Sequence, residues 1–233
     1  MNIFDKISLS LICSDPLNLD SDLAFLQEQG LKKIHIDIMD NKFVPRFGIF
    51  PEITSLINKK YPFELDAHFM VEDIPRALNE WKKYNAFTKI SYHYSANKNR
   101  LKYIDDLINE SGAIPIYAFD LDIDEQEFLD VILENNPSGI MILGIKPGVL
   151  AQEHKPELVL DKLNLLKQHS INIETIMIDG GVNFHTIGEF LLRGANHLVC
   201  GSGTIYKDID FQKISKKNEI IKENCAKLKE LTS

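Results

Sequence analysis

The chain has 233 residues, 44% of them hydrophobic and 26% charged, with a formal net charge of -8. This is a globular composition with room for a sizeable core, and it lacks the overall basic footprint of a nucleic-acid-binding protein. No apolar run approaches the roughly 18 residues of a membrane span. Three widely spaced cysteines, Cys13, Cys200 and Cys225, support neither a disulfide framework nor a zinc ribbon, so a reducing, cytoplasmic setting is expected.

The apolar run at 7–12 is short and is followed by Asp15-Pro16, which reads as a first strand rather than a signal peptide. A helical pattern at 21–29 ends before Gly30, as helices ending at a C′ glycine do. The run at 33–38 reads as a buried second strand, yet it carries His35 and Asp37 on one side and Ile34, Ile36 and Ile38 on the other. A buried charge is costly unless it is paired or bound to a metal. This strand therefore places two good metal ligands in an interior.

A helix at 51–59, opened by Pro51, leads to a strand at 63–70 in which Asp66, His68 and Met70 alternate. Helices at 75–83, 98–110, 124–134 and 156–169 then alternate with strands at 88–92, 114–118, 139–143 and 173–178. Pro75 and Pro156 sit where a first helical turn accepts proline. Asn183 is a good N-cap for a helix at 184–193, which Gly194 follows. The strand at 196–200 is the eighth, and a final helix covers about 211–231. No composition shift or low-complexity linker divides residues 1–233. Eight such strand–helix units predict an α/β fold, a single-domain (β/α)8 TIM barrel. A doubly wound open sheet would carry a glycine-rich turn after its first strand, and residues 11–19 contain no glycine.

In a (β/α)8 barrel the chemistry lies at the C-terminal ends of the strands. On this map those ends carry Ser10, His35, Asp37, His68, His93 and Asp179, although the strands were placed from hydrophobicity and breakers. His35, Asp37, His68 and Asp179 form a donor set of two imidazoles and two carboxylates. It suits one divalent metal ion: Zn²⁺, Fe²⁺, Mn²⁺ or Co²⁺. Each histidine alone reads more simply as a hydrogen-bonded core residue, but the set on one barrel face reads as a site. Asp179-Gly180-Gly181-Val182-Asn183 and Gly201-Ser202-Gly203-Thr204 are turns after the seventh and eighth strands. Single glycine turns need no ligand, yet both together, in this fold, favour phosphate held on backbone N–H groups. Met39 and Met70 beside the ligands read as core filler or, alternatively, as a wall against a reacting carbon.

The pieces Ser10-Leu11-Ile12-Cys13-Ser14-Asp15, His35-Ile36-Asp37-Ile38-Met39-Asp40 with Phe43-Val44-Pro45, and Asp66-Ala67-His68-Phe69-Met70-Val71 are followed by Pro147-Gly148, Asp179-Gly180-Gly181 and Gly201-Ser202. In order and spacing the chain resembles the ribulose-phosphate 3-epimerase family over nearly its whole length. The resemblance implies a phosphate-binding barrel acting on a sugar phosphate, with one divalent metal held by His35, Asp37, His68 and Asp179. It implies that Asp37 and Asp179 are the acid/base pair that inverts C3, taking D-ribulose 5-phosphate to D-xylulose 5-phosphate through an enediolate. Met39 and Met70 would pack on the enediolate. Ser10, His68, Gly148, Gly180, Gly181, Gly201 and Ser202 would contact the substrate. A homo-oligomer is also implied, and no nucleic acid or membrane.

The chain departs from the family where substrate is held. Gly148-Val149-Leu150-Ala151-Gln152 replaces Gly-Phe-Gly-Gly-Gln, so two glycines are lost and Leu150 stands where the backbone approaches phosphate. Lys146 replaces an asparagine and offers a compensating cation. Leu143 replaces a methionine, Asp120-Leu121 replaces Asn-Pro, and 201–206 is one residue longer. Reaction type is therefore better defined than substrate. A ketohexose 6-phosphate such as D-allulose 6-phosphate, and a barrel that binds a sugar phosphate without turning it over, are the alternatives. A decarboxylase of the related Asp-x-Lys-x-x-Asp type is disfavoured, because the second strand has no lysine. Phe43, Phe47 and Phe50 read as an exposed apolar group, in an interface or in a lid.

Overall fold

A computed structural model describes residues 2–84, 87–149, 154–211 and 216–231. Among these, eight parallel strands close a barrel in sequence order: β1 (Ile7–Ser10), β2 (Lys33–Met39), β3 (Glu64–Met70), β4 (Lys89–His93), β5 (Ile114–Phe119), β6 (Gly139–Leu143), β7 (Thr175–Asp179) and β8 (His197–Cys200). The helices between and after them are α1 (Leu19–Gln29), α2 (Pro51–Lys60), α3 (Ile74–Trp81), α4 (Leu101–Glu110), α5 (Glu125–Asn135), α6 (Pro156–Gln168), α7 (Ile187–Leu192) and α8 (Lys217–Glu230). The expected (β/α)8 barrel is the observed fold.

The local signals explain most boundaries. Proline occupies the first turn of α2, α3 and α6, where its missing N–H has no intrahelical partner to lose. Gly30 ends α1 at φ 104°. Several boundaries differ from expectation by two or more residues, among them the start of α4 at Leu101 rather than 98 and of β7 at Thr175 rather than 173. β1 stops at Ser10, and a short 3-10 helix, Leu11–Cys13, takes its place. The Asn183 side chain does cap, accepting from His185 N at 2.9 Å and Thr186 N at 3.3 Å. It caps a preliminary turn, however, so α7 begins only at Ile187. α8 begins at Lys217 rather than at 211; residues 212–215 lie outside the described segments.

Two apolar layers build the barrel. Between strands and helices, Ile34, Ile36 and Ile38 of β2 belong to the main core together with Leu23 and Leu26 of α1 and Ile57 of α2. Each such side chain stabilises by roughly 1.5–3 kcal/mol when fully buried. Inside the barrel the smaller cluster of Ile116, Ala118, Met141, Leu143, Met177 and Val199 comes from β5 to β8. The β1 to β4 side of the interior is instead polar, with Ser8, Ser10, His35, Asp37, Asp66, His68, Ser91 and His93 all buried. Register sets this pattern, because β2 and β3 align His35 with Asp66, Asp37 with His68, and Met39 with Met70.

The loop after β2 locks the end of that strand. Gly48 N–H donates to Met39 O at 3.2 Å and Ile49 N–H donates to Asp37 O at 3.0 Å. A Cβ on Gly48 would lie 2.2 Å from the Asp37 carbonyl oxygen and 2.6 Å from Met39 N. These are backbone atoms that cannot swing aside. Gly48→Ala should therefore destabilise the fold by roughly 1–3 kcal/mol, read as a lower urea midpoint at unchanged m value; an unchanged midpoint would contradict this packing.

Candidate active site

The alternation of β2 and β3 aims four ionisable side chains at the barrel axis. Asp66 is 2% exposed, and its two oxygens face His35 Nδ1 and, at 3.5 Å, His197 Nε2. Ser8 Oγ lies 2.9 Å from the same His197 nitrogen. With Nδ1 engaged by Asp66, the His35 ring turns Nε2 upward, 3.6 Å from Asp37 Oδ1 and 3.9 Å from Asp179 Oδ2. That Nε2 is buried and has no hydrogen-bond partner. An orphaned buried nitrogen facing two carboxylates is what a metal ligand looks like before its cation arrives.

Above it, Ser10 Oγ donates to Asp37 Oδ2 at 3.2 Å. His68 Nδ1 lies 3.3 Å from Asp179 Oδ2. His35, Asp37, His68 and Asp179 each present one ligand atom, and all of these lie within 4.8 Å of one another. The residues fit a single divalent ion in donor type, number and convergence. On its far side His68 meets His93 across 3.0 Å between their Nε2 atoms. His93 Nδ1 in turn lies 2.9 Å from Asp120 Oδ1, and Ser95 Oγ donates to Asp120 Oδ2.

Burial and the charged partners compete to set the charge of these groups. Desolvation pushes the Asp66 carboxyl up, but His35 and His197 overcome it and hold the group far below the usual carboxylate range. Desolvation likewise opposes charge on His35, and Asp66 and Asp37 outweigh it, raising its pKa well above that of free imidazole. Asp179 is held low by His68 and His35 against its burial. His93 goes the other way: burial lowers it and Asp120 only partly compensates.

The cavity over this cluster measures about 380 Å³. Ser10, Asp37, Met39, His68, Met70, Gly148, Asp179, Gly180, Gly181, Gly201 and Ser202 all line it; His35, fully buried, stands behind Asp37 and Asp179. Met39 and Met70 join Val44, Ile12 and Phe43 in one apolar group, and Leu143 adds to the wall. Gly180 and Gly181 carry φ of 85° and 73°, consecutive left-handed residues that only glycine adopts cheaply. Leu150, Ala151 and Gln152 of the altered loop lie outside the described residues.

The structure brings in residues that the sequence left without a role. Asp66 holds His35, and Asp120 holds His93. Arg46, His154 and Asn183 line the cavity mouth, with Asn183 Nδ2 3.3 Å from His154 Nε2. Arg46 and His154 lie in loops with no periodicity to flag them. Phe43 is corrected: it turns inward against His93, ring centroids 4.7 Å apart, while Phe47 and Phe50 remain exposed.

Residues 6–205 match the Ribulose-phosphate 3 epimerase family. The chain is 31% identical over 217 residues to a ribulose-phosphate 3-epimerase of Buchnera aphidicola, covering 90% of this chain and 93% of that one. It is 30% identical over 224 residues to the Escherichia coli K12 ribulose-phosphate 3-epimerase, covering 89% and 92%. Among solved structures, KGPDC from Streptococcus mutans superposes with a TM-score of 0.67 at 13% identity, covering 99% of this chain and all of that one; this likeness concerns the fold alone.

Because Asp66 is held below its ordinary value, the unfolded chain takes up the extra proton on acidification, so the contribution of Asp66 is full above about pH 4 and fades below it. In metal-free protein, the stability gap between wild type and Asp66→Asn should narrow as the pH falls from about 5 to about 3. Urea denaturation across that range checks it, and a gap that widens on acidification would refute the pairing.

Proposed function

The chain belongs to the ribulose-phosphate 3-epimerase family, and on that premise we propose that it inverts C3 of a ketose phosphate, converting D-ribulose 5-phosphate to D-xylulose 5-phosphate. The observation that carries this reading is the convergence of two imidazoles and two carboxylates within 4.8 Å on a cavity rimmed by glycine turns.

Epimerisation beside a ketone takes a proton from one face of the carbon and returns one to the other, so two groups must flank it. Asp37 on β2 and Asp179 on β7 are assigned these roles. One is ionised and accepts the C3 proton; the other is protonated and donates to the opposite face, and the two exchange roles each turnover. Two ionised carboxylates this close would repel in an apolar site. A divalent ion, Zn²⁺, Fe²⁺, Mn²⁺ or Co²⁺, on His35, Asp37, His68 and Asp179 would supply positive charge that relieves this repulsion and stabilises the enediolate. Ser10 orients Asp37 through its hydrogen bond and touches the sugar. Met39 and Met70 exclude water from the reacting carbon. His68 faces the substrate, and Gly148, Gly180, Gly181, Gly201 and Ser202 cradle its phosphate.

A second reading, a ketohexose 6-phosphate such as D-allulose 6-phosphate, rests on the altered strand-six region, where Leu143, Lys146 and Val149 depart from the family pattern. The proposal extends to a homo-oligomer and to a cytoplasmic setting, consistent with three free cysteines; Phe47 and Phe50 are exposed, in an interface or in a lid. Among the described residues no helix is long and apolar enough to cross a membrane.

Metal-loaded protein incubated in D2O with ribulose 5-phosphate or xylulose 5-phosphate, which share one enediolate, should place deuterium at C3 of both, read by NMR; label in allulose 6-phosphate instead would favour the second reading. Asp37→Asn and Asp179→Asn should each slow the exchange by roughly 10²–10⁴, and chelation should stop it until metal is restored. Bound metal with no exchange on any of the three sugars would instead leave a sugar-phosphate-binding barrel without turnover.

A further inference from the structure

His35 and His68 face the same centre, but on the side away from it His35 rests directly on a carboxylate and His68 does not. Its Nδ1 is held by Asp66, which leaves Nε2 aimed at Asp37 and Asp179 without a hydrogen-bond partner. His68 rests on a second imidazole. Its Nε2 lies 3.0 Å from His93 Nε2, with ring planes 19° apart and centroids 4.9 Å apart. At that distance the two Nε2 atoms are within hydrogen-bond reach of each other. Only one hydrogen fits between two such atoms, and which ring owns it decides what His68 offers on its other side.

Asp120 settles the ownership. Its carboxylate can only accept, so His93 Nδ1, at 2.9 Å, donates to it. A neutral imidazole has a single N–H; with that hydrogen on Nδ1, His93 Nε2 is bare and accepts from His68 Nε2–H. A neutral His68, the form that can ligate a metal, is then bare at Nδ1, which faces Asp179 Oδ2 at 3.3 Å. Two acceptors at that separation repel unless a cation lies beside them. Without Asp120, His93 could carry its hydrogen on Nε2, which would drive the His68 hydrogen onto Nδ1 and cap the lone pair.

We propose that Asp120 is a positioning residue that acts through His93 to fix the ring hydrogens of His68, so that His68 Nδ1 presents a lone pair to the metal position. Both imidazole ligands are thereby backed by carboxylates, His35 directly by Asp66 and His68 by Asp120 through one intervening ring. The surroundings hold the series rigid. Ser95 Oγ donates to the second oxygen of Asp120. Asn97 Nδ2 donates to His93 O at 2.7 Å, and the Phe43 ring packs on the His93 ring. His93 is only 1% exposed, so water does not compete for its nitrogens. The inference rests on the metal reading above and adds to it a residue outside the ligand set.

The test uses two readouts that do not depend on turnover. Long-range 15N–1H correlation spectra of the Zn²⁺-loaded protein should find His93 protonated at Nδ1 and bare at Nε2. Zn²⁺ affinity, measured by competition with a chelator, should fall roughly tenfold to a hundredfold in Asp120→Ala, the range for losing an outer partner of a ligand histidine. Asp120→Asn, whose amide oxygen can still accept from Nδ1–H, should recover most of that loss, which a merely structural defect would not. A hydrogen on His93 Nε2 in the wild type, or wild-type affinity in a folded Asp120→Ala, overturns the role of Asp120 while leaving the metal site standing. A wild type that binds no Zn²⁺ overturns the metal reading and this inference with it. If Asp120→Ala does not fold, the wild-type spectrum decides.

Discussion

The contact between Asp66 and His35 lies beneath everything that the upper face of the barrel does. A carboxylate that is 2% exposed cannot stay ionised without partners, and here they are His35 and His197. The pairing engages His35 at Nδ1 and so leaves Nε2 toward Asp37 and Asp179. The geometry of the proposed metal site at the top thus follows from charge compensation one layer below. A fold that buries charge in this way gives up apolar packing on the β1 to β4 side of its interior and recovers it from β5 to β8. That division is a familiar exchange of stability for function.

Two devices keep the arrangement from relaxing. Parallel register ties Asp37 to His68 and Met39 to Met70 across one strand pair, so the polar ligands and the apolar wall cannot shift independently. The loop closing at Gly48 clamps the backbone of Asp37 and Met39. An acid/base group must be placed to a fraction of an ångström to act on one carbon, and rigid strand ends supply that better than loops.

Much of this was legible in the sequence, for identifiable reasons. The run at 139–143 coincides with β6 because a fully buried parallel strand reads as an unbroken apolar run. The period of two in His35-Ile36-Asp37-Ile38-Met39 and in Asp66-Ala67-His68-Phe69-Met70 placed His35 with Asp37, and Asp66 with His68, on one face of each strand before any fold was known. Other features depend on neighbours far along the chain. Ile12 carries strand propensity but follows a 3-10 turn at Leu11–Cys13. Phe43 looked like surface, yet His93 and Met70, from other strands, give it a place to pack. Asp66 was visible as an alternating polar residue, but its partner His197 lies on the eighth strand. Asp120 stood out only as a departure from a family pattern; its meaning required the His93 ring beside it. Arg46 and His154 reach the cavity mouth from loops, where sequence carries no period to read.

X-ray absorption spectroscopy of the protein loaded with one equivalent of Zn²⁺ tests the central claim most directly. If His35, Asp37, His68 and Asp179 hold the ion together, the first shell contains nitrogen and oxygen at about 2.0–2.2 Å and no sulfur, with outer scattering from two imidazole rings, and the ring signal halves in His68→Ala. A spectrum containing sulfur, or one with no imidazole scattering, would contradict the account.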